Sequence, residues 1–351
     1  MNYLKMYGWN ERLSQLKQAS VYHALCAGRI TIVHRTCYEV ISENGFFQCE
    51  LTGNLMYGKP SMEWPCVGDW IIFQPFDDSK GMIVDMLPRE RTLYRKKSGT
   101  VAEKQAIASY VDQAFIVQSL DDNFNVRRIE RFMVQILEEN IRPSLVLNKS
   151  DLCYDRRGVD EAIRYITHQM PVFFTSIQQP QTILQLRESI SKGETVIFVG
   201  SSGVGKSSLI NALCEKSILQ TSHISLSTGK GRHTSTRREM VLMNDSGILI
   251  DTPGVREFGL TAHDSDSLAE VLDISDLAQS CRFKDCTHTN EPGCAVLEAV
   301  NNGSLDHKIY ESYLKLRREV WHFSSSEHEK RRRDKSFSKM IDEVKKHKTN
   351  F

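Results

Sequence analysis

Three short motifs stand in an order that few chain topologies can accommodate. Gly200-Ser201-Ser202-Gly203-Val204-Gly205-Lys206-Ser207 fits the phosphate-binding pattern G-x4-G-K-S/T without a mismatch. Asn148-Lys149-Ser150-Asp151, a candidate base reader, lies upstream of it, and Asp251-Thr252-Pro253-Gly254 follows at the end of an apolar run. In the usual arrangement the phosphate loop comes first and the base reader last. The present order is a rotation of that one. A domain can survive such a cut if its old ends lie close enough to be joined, as termini of compact domains often do.

Each motif carries its own chemistry. The glycines let backbone N–H groups turn inward around phosphate oxygens, and the helix expected from about Lys206 to Cys214 adds its positive N-terminal end. Gly200, Ser201, Ser202, Gly203, Val204, Gly205, Lys206, Ser207 and the following Ser208 are the expected phosphate contacts. Lys206 is expected to reach the β- and γ-phosphates, and Ser207 to ligate Mg²⁺. Asp251 ends a strand-like run, where an acid can hold the Mg²⁺ shell, and the Gly254 N–H can meet a γ-phosphate. Between loop and acid lies the polar stretch 228–236, in which Thr234 is positioned to complete the Mg²⁺ coordination.

Asn148, Lys149 and Asp151 follow the apolar run 144–147. A carboxylate there can accept from guanine N1–H and the 2-amino group, donors that adenine lacks, so the bound nucleotide is expected to be GTP or GDP. Thr175 and Ser176, after the apolar run 172–174, resemble the short loop whose backbone N–H reads guanine O6. The parts add up to a Ras-like P-loop fold in circularly permuted order, and to a GTP hydrolase. Ras-like enzymes place a water-orienting Gln just after the acidic element, and here that position is Val255. Slow intrinsic turnover follows. His233 is the leading internal substitute as a catalytic group, with Arg232, Arg237 and Arg256 as charge stabilisers; the alternative is a loop histidine without chemistry.

The 351 residues suffice for two or three domains with real cores. A net charge of +1 gives no global pull toward nucleic acid, so any such binding must come from local patches. Apolar runs reach only about six residues, which leaves no membrane span. Trp9, Asn10, Glu11 and Arg12 break any apolar leader, so a cytoplasmic protein is expected. Its nine cysteines should then be thiols or metal ligands.

Residues 1–28 read as helical. Five short β-rich runs follow, at 29–34, 38–42, 46–52, 69–75 and 82–87, separated by turn residues such as Asn44-Gly45. They suit a five-stranded, oligonucleotide-binding (OB)-like β-barrel, with an SH3-like barrel or an open sheet as the alternative. From 96 to 258 strands alternate with helices in a doubly wound α/β pattern. Three domains are expected: 1–96, an N-terminal helix and barrel; 97–260, the permuted GTPase; and 261–351, α-rich and zinc-binding.

In that last region Cys281, Cys286, His288 and Cys294 give C-x4-C-x-H-x5-C, the donor set of a closed structural Zn²⁺ site. Scattered buried thiols are the alternative, and suffice for Cys26, Cys37, Cys49, Cys66, Cys153 and Cys214. The stretch 327–351 holds nine basic against five acidic residues, either a solvated charged helix or an RNA-backbone contact.

Taken together, these motifs resemble the ribosome small-subunit-dependent GTPase A family, circularly permuted GTPases of bacteria. The resemblance rests on 148–151, 200–207, 231–236, 251–254 and the Cys/His spacing, with Gly68-Asp69 in the barrel and the exit Arg91-Thr92-Leu93-Tyr94-Arg95. It covers nearly the whole chain, and the terminal segments match least. It implies a monomer that binds the 30S ribosomal subunit and its 16S rRNA late in maturation, with turnover stimulated by that subunit. The family's switch usually reads His-Thr-Thr, and this chain has His233-Thr234-Ser235. On the residues alone, two other readings stand: a GTP-dependent switch on another structured RNA, and a weakly hydrolysing RNA-binding scaffold.

Overall fold

A computed structural model describes residues 3–56, 60, 62–96, 104–215, 238–243, 247–252 and 265–324. Its contacts divide the chain into two compact units, Met1–Phe258 and Gly259–Phe351.

The first unit opens with two short helices, α1 (Tyr3–Met6) and α2 (Glu11–Ala19), rather than one continuous helix. Asn10 separates them: its side chain accepts from the Leu13 N–H at 3.0 Å and caps α2. Five strands follow, β1 (Cys26–Val33), β2 (Tyr38–Ser42), β3 (Gly45–Leu51), β4 (Trp70–Pro75) and β5 (Lys80–Met86), with a single turn α3 (Gly53–Met56) between β3 and β4. β1 pairs with both β2 and β4, and β3 runs parallel to β5. The order β1-β2-β3-β5-β4 thus closes on itself, which is the OB-like barrel. Its interior is Ile30, Val40, Cys49, Ile71, Phe73 and Ile83, none with measurable exposure, and the Phe47 and Phe73 rings lie 5.1 Å apart.

The barrel exit makes a hairpin absent from the sequence reading, β6 (Leu93–Lys96) against β7 (Lys104–Ala108). Here the barrel loop and the exit come very close. Gly68 has φ 95°, and a Cβ built on it overlaps the Ser109 carbonyl oxygen. Replacing Gly68 by Ala therefore meets backbone strain and a backbone clash together. The variant is expected to lose about 2 kcal/mol or more, and several degrees of melting temperature by calorimetry.

The remaining strands of this unit are β8 (Gln113–Ser119), β9 (Arg142–Asn148), β10 (Val172–Thr175), β11 (Thr195–Val199), β12 (Glu239–Leu242) and β13 (Ile248–Asp251). They are interleaved with α4 (Val126–Glu138), α5 (Arg156–Thr167), α6 (Pro180–Glu188) and α7 (Lys206–Leu213). The sheet order is β10-β9-β8-β11-β13-β12, parallel except for β12. β8 and β11 are buried along their whole length, which is why they read as continuous apolar runs. α4 turns Ile129, Phe132, Met133 and Ile136 inward, each stabilising by roughly 1.5–3 kcal/mol. The barrel joins this sheet directly: Ile32 of β1 pairs with Glu239 of β12.

The described part of the second unit is helical: α8 (Ser265–Val271), α9 (Ser275–Gln279), α10 (Ala295–Asn301) and α11 (His307–Ser324). Leu268, Val271, Leu272, Val296 and Leu316 form its small apolar core. No helix among the described residues is long and apolar enough to cross a membrane.

Candidate functional site

β11 ends at Val199 and the chain turns through residues 200–205 into α7. The turn needs its glycines, because Gly200, Gly203 and Gly205 have φ of 150°, 84° and 96°. A Cβ on Gly200 would run into the Val117 carbonyl, and one on Gly205 into the Asn148 amide. Lys206 lies across this loop, its Nζ donating to the carbonyls of Gly200 and Ser201, both at 2.9 Å.

The acidic element meets the loop from β13. Ser207 Oγ donates to Asp251 Oδ2 at 3.0 Å, while Asp251 Oδ1 is buried with no partner. Burial pushes the Asp251 carboxyl up, against Ser207 and Lys206, which hold it down. A buried carboxylate oxygen without a donor, beside a serine hydroxyl, is what a hard divalent cation completes. These two residues therefore fit Mg²⁺.

Burial pushes Lys206 down to about 8, against Asp251, which holds it up. In the window from about pH 8 to 10.5 the unfolded chain keeps a proton that the free folded protein releases. Stability thus rises with pH across that window, and the contribution is lost as pH falls through about 8. Nucleotide binding has the opposite sign, because a bound phosphate needs the ammonium form. GTP affinity is expected to fall as pH rises through about 8, by up to about tenfold per unit. Calorimetry in buffers of different ionisation heat should find proton uptake near zero at about pH 7 and approaching one at about pH 9.

The candidate base-reading tetrapeptide sits at the end of β9, one strand from β10 and two from β11. Asn148 ties the parts together. Its Nδ2 donates to the Val204 carbonyl in the phosphate loop at 2.8 Å, and its Oδ1 accepts from Thr175 Oγ1 at 3.1 Å. Lys149 adopts a left-handed backbone, φ 57° and ψ 41°, and its Nζ pairs with Asp121 at 2.9 Å. Ser176 Oγ donates to Asp151 Oδ1 at 2.5 Å. The Ser176 N–H itself is taken by Thr182 Oγ1 at 3.0 Å.

Phosphate loop, base reader and the acid Asp251 are thus brought to one end of one sheet. Gly254, Thr234 and His233 lie outside the described residues, as do Arg232, Arg237, Val255, Arg256 and the basic stretch 327–351. Sequence reasoning missed Asp121, which lies two residues past the end of β8 and holds Lys149, and Thr182, which buttresses the Ser176 loop. The only signal for Asp121 was an acid at the end of a strand adjacent to β9.

In the second unit Cys281, Cys286, His288 and Cys294 bring their donor atoms within 4.8 Å of one another. The Cys281 and Cys294 sulfurs are 3.9 Å apart, and each is 3.5 Å from His288 Nδ1. Four donors at tetrahedral corners around Zn²⁺, with Zn–S about 2.3 Å and Zn–N about 2.0 Å, stand about 3.5–3.8 Å apart. The cluster can therefore hold a metal. Burial, with Arg317 nearby, pushes His288 down and keeps its imidazole neutral for ligation. Tyr310 donates to the His288 carbonyl at 2.7 Å, and Arg317 to that of Thr287.

Comparison with known proteins agrees with this geometry. A family model described as RsgA GTPase matches residues 86–261. A second, described as 50S ribosome-binding GTPase, matches 195–343, starting at the strand that leads into the phosphate loop. The Small ribosomal subunit biogenesis GTPase RsgA 1 of Bacteroides thetaiotaomicron is 70% identical, covering 100% of this chain and 99% of its own. The Small ribosomal subunit biogenesis GTPase RsgA of Leptospira interrogans is 36% identical over 96% and 95%. Among solved structures, YjeQ from Thermotoga maritima superposes with TM-score 0.64 at 27% identity, covering 84% of this chain and 98% of that one. YloQ, a circularly permuted GTPase, superposes with TM-score 0.61 at 24% identity, over 87% and 98%, a likeness of fold.

Proposed function

Because this chain belongs to the RsgA GTPase family, we propose that it hydrolyses GTP on the small ribosomal subunit, late in that subunit's maturation. The observation that carries the reading is the Asn148 side chain, which bridges phosphate loop and base reader across the permuted chain order. Relatives named for small ribosomal subunit biogenesis, aligned over at least 95% of each chain, support the choice of partner. We take the chain as three domains, 1–96, 97–260 and 261–351, and as a cytoplasmic monomer. The partner is the 30S subunit and its 16S rRNA.

In this reading Asp151 accepts from guanine, with Lys149 alongside the base. The Ser176 N–H is engaged by Thr182, so an amide further along that loop meets O6. The backbone of 200–208 and Lys206 hold the phosphates. Ser207, Asp251 and Thr234 would hold Mg²⁺, which would neutralise charge on the phosphate oxygens. Gly254 meets the γ-phosphate. Zn²⁺ at Cys281, Cys286, His288 and Cys294 holds the C-terminal fold.

His233 takes the role that Val255 cannot. On the ribosome, the imidazole orients the attacking water. Turnover measured with and without purified 30S subunits tests the whole reading. A strong rise with 30S is expected. A response to another structured RNA alone, or no turnover above a slow basal rate, would favour a different RNA-bound switch or a scaffold. His233→Ala should bind GTP and 30S normally and lose roughly 100-fold or more of the stimulated rate, with the basal rate little changed. Full stimulation in that variant would assign the water to another group.

A further inference from the structure

One barrel strand reaches both working parts of the nucleotide site. β1 carries Arg29 and Ile32 within one strand. Ile32 pairs with Glu239 on β12, and Glu239 stands opposite Asp251 on β13. Asp251 in turn faces Phe198 on β11. Neighbouring strands are about 4.8 Å apart, so the barrel backbone lies about 10 Å from that of Asp251. β1 reaches β12 where its pairing with β2 slips between Ile30 and Ile32, a bulge at Thr31. Bulges bend a strand and re-aim it. Here the bend takes β1 from barrel to nucleotide sheet.

Arg29 makes the second contact. Its guanidinium is buried and donates to the carbonyls of Tyr7 at 2.6 Å, Gly68 at 3.1 Å and Tyr110 at 3.4 Å, and to Thr195 Oγ1 at 3.1 Å. Thr195 is the first residue of β11, the strand that ends in the phosphate loop. Its N–H donates to Asp112 at 2.8 Å, and Asp112 also accepts from Arg91 at 3.0 Å. Two arginines from the barrel and its exit thus hold the base of the phosphate-loop strand, one directly and one through Asp112. An apolar side chain would fill this position at lower desolvation cost. The buried cation supplies orientation: four bonds to four separate segments.

We propose that β1 couples the barrel to the nucleotide. A partner that shifts β1 moves the seat of the phosphate loop through Arg29 and Thr195. It moves the Asp251 row through Ile32 and Glu239 at the same time. By linkage, the nucleotide state must alter the barrel by the same coupling. The ribosomal arm of the test rests on the function proposed above; the nucleotide arm does not.

Thr195→Val keeps the shape and removes the hydroxyl, whereas Thr195→Ser keeps the hydroxyl. In the full chain with Mg²⁺, amide exchange across residues 26–33 and 66–70 is compared between GDP and a non-hydrolysable GTP analogue. Wild type and Thr195→Ser should show a nucleotide-dependent change of roughly threefold or more, and Thr195→Val a clearly smaller one, because only the Ile32–Glu239 contact is left. With 30S, Thr195→Val should lose about tenfold in stimulated kcat, with KM for GTP and the basal rate unchanged. Arg29→Lys, which keeps the charge and loses the fork, is the second break if Thr195→Val melts early. Barrel exchange that ignores the nucleotide in wild type, or responds equally in Thr195→Val, overturns the coupling. Absence of 30S stimulation in wild type would instead count against the proposed function, with the exchange arm still deciding the coupling.

Discussion

Replacing Asp151 by Asn is expected to weaken GTP binding by roughly 100- to 10,000-fold, while the protein stays folded. In the proposed reading the carboxylate accepts from two guanine donors. Hydrogen bonds to a charged partner contribute about 1.5–3 kcal/mol each, so two account for that range. An amide offers one acceptor and one donor group, and its NH₂ opposes a guanine donor. Folding should not suffer, because Asp151 is exposed in the free protein and an Asn oxygen can still accept from Ser176 Oγ. The same swap creates complementarity to xanthine, whose C2 carries a carbonyl oxygen in place of the amino group. Calorimetric titration with GTP, ATP and XTP is the test: GTP should drop, ATP should stay weak, and XTP should rise. An unchanged preference for GTP over ATP would remove Asp151 from the base site.

That prediction leans on a site that the chain announces locally. The phosphate loop, the base reader and Asp251 could be read because each motif is a contiguous string at a strand end. The barrel strands could be read because short β-rich runs were punctuated by turn residues such as Asn44-Gly45, and β2 spans Tyr38–Ser42 as expected. The β6–β7 hairpin escaped because its strands are short and carry Arg95, Lys96 and Lys104. Neither shows the alternation that marks a half-buried strand. Arg29 escaped for a deeper reason. Its acceptors lie 22, 39, 81 and 166 residues away, and nothing local distinguishes it from a solvated strand arginine. Lys149 likewise meets Asp121 across 28 residues. What holds a chemical group is local and legible; what aims it is assembled by the fold.

Removing the metal from the Cys/His cluster is expected to unfold the second unit and spare nucleotide binding by the first. The segment 280–294 between α9 and α10 contains no regular secondary structure. Around it the apolar core is small, built from residues such as Leu268, Val271, Val296 and Leu316. The described part of this unit spans only 265–324, a size at which a single apolar core contributes only a few kcal/mol net. In the proposed reading, four ligands closing on one Zn²⁺ would supply what the core lacks, structural sites contributing about 10–16 kcal/mol near neutral pH. Without the ion, three thiol or thiolate groups crowd within 4.8 Å of one another and of His288, with no charge to hold them there. Cys294→Ala should act as chelation does, because Cys294 also caps α10 by accepting from the Leu297 N–H. Elemental analysis should find one zinc per chain. Limited proteolysis should cut chelated protein and Cys294→Ala beyond residue 258 while GTP affinity stays within about twofold. A metal-free protein whose C-terminal unit resists protease as well as the native one would show that packing alone sustains it.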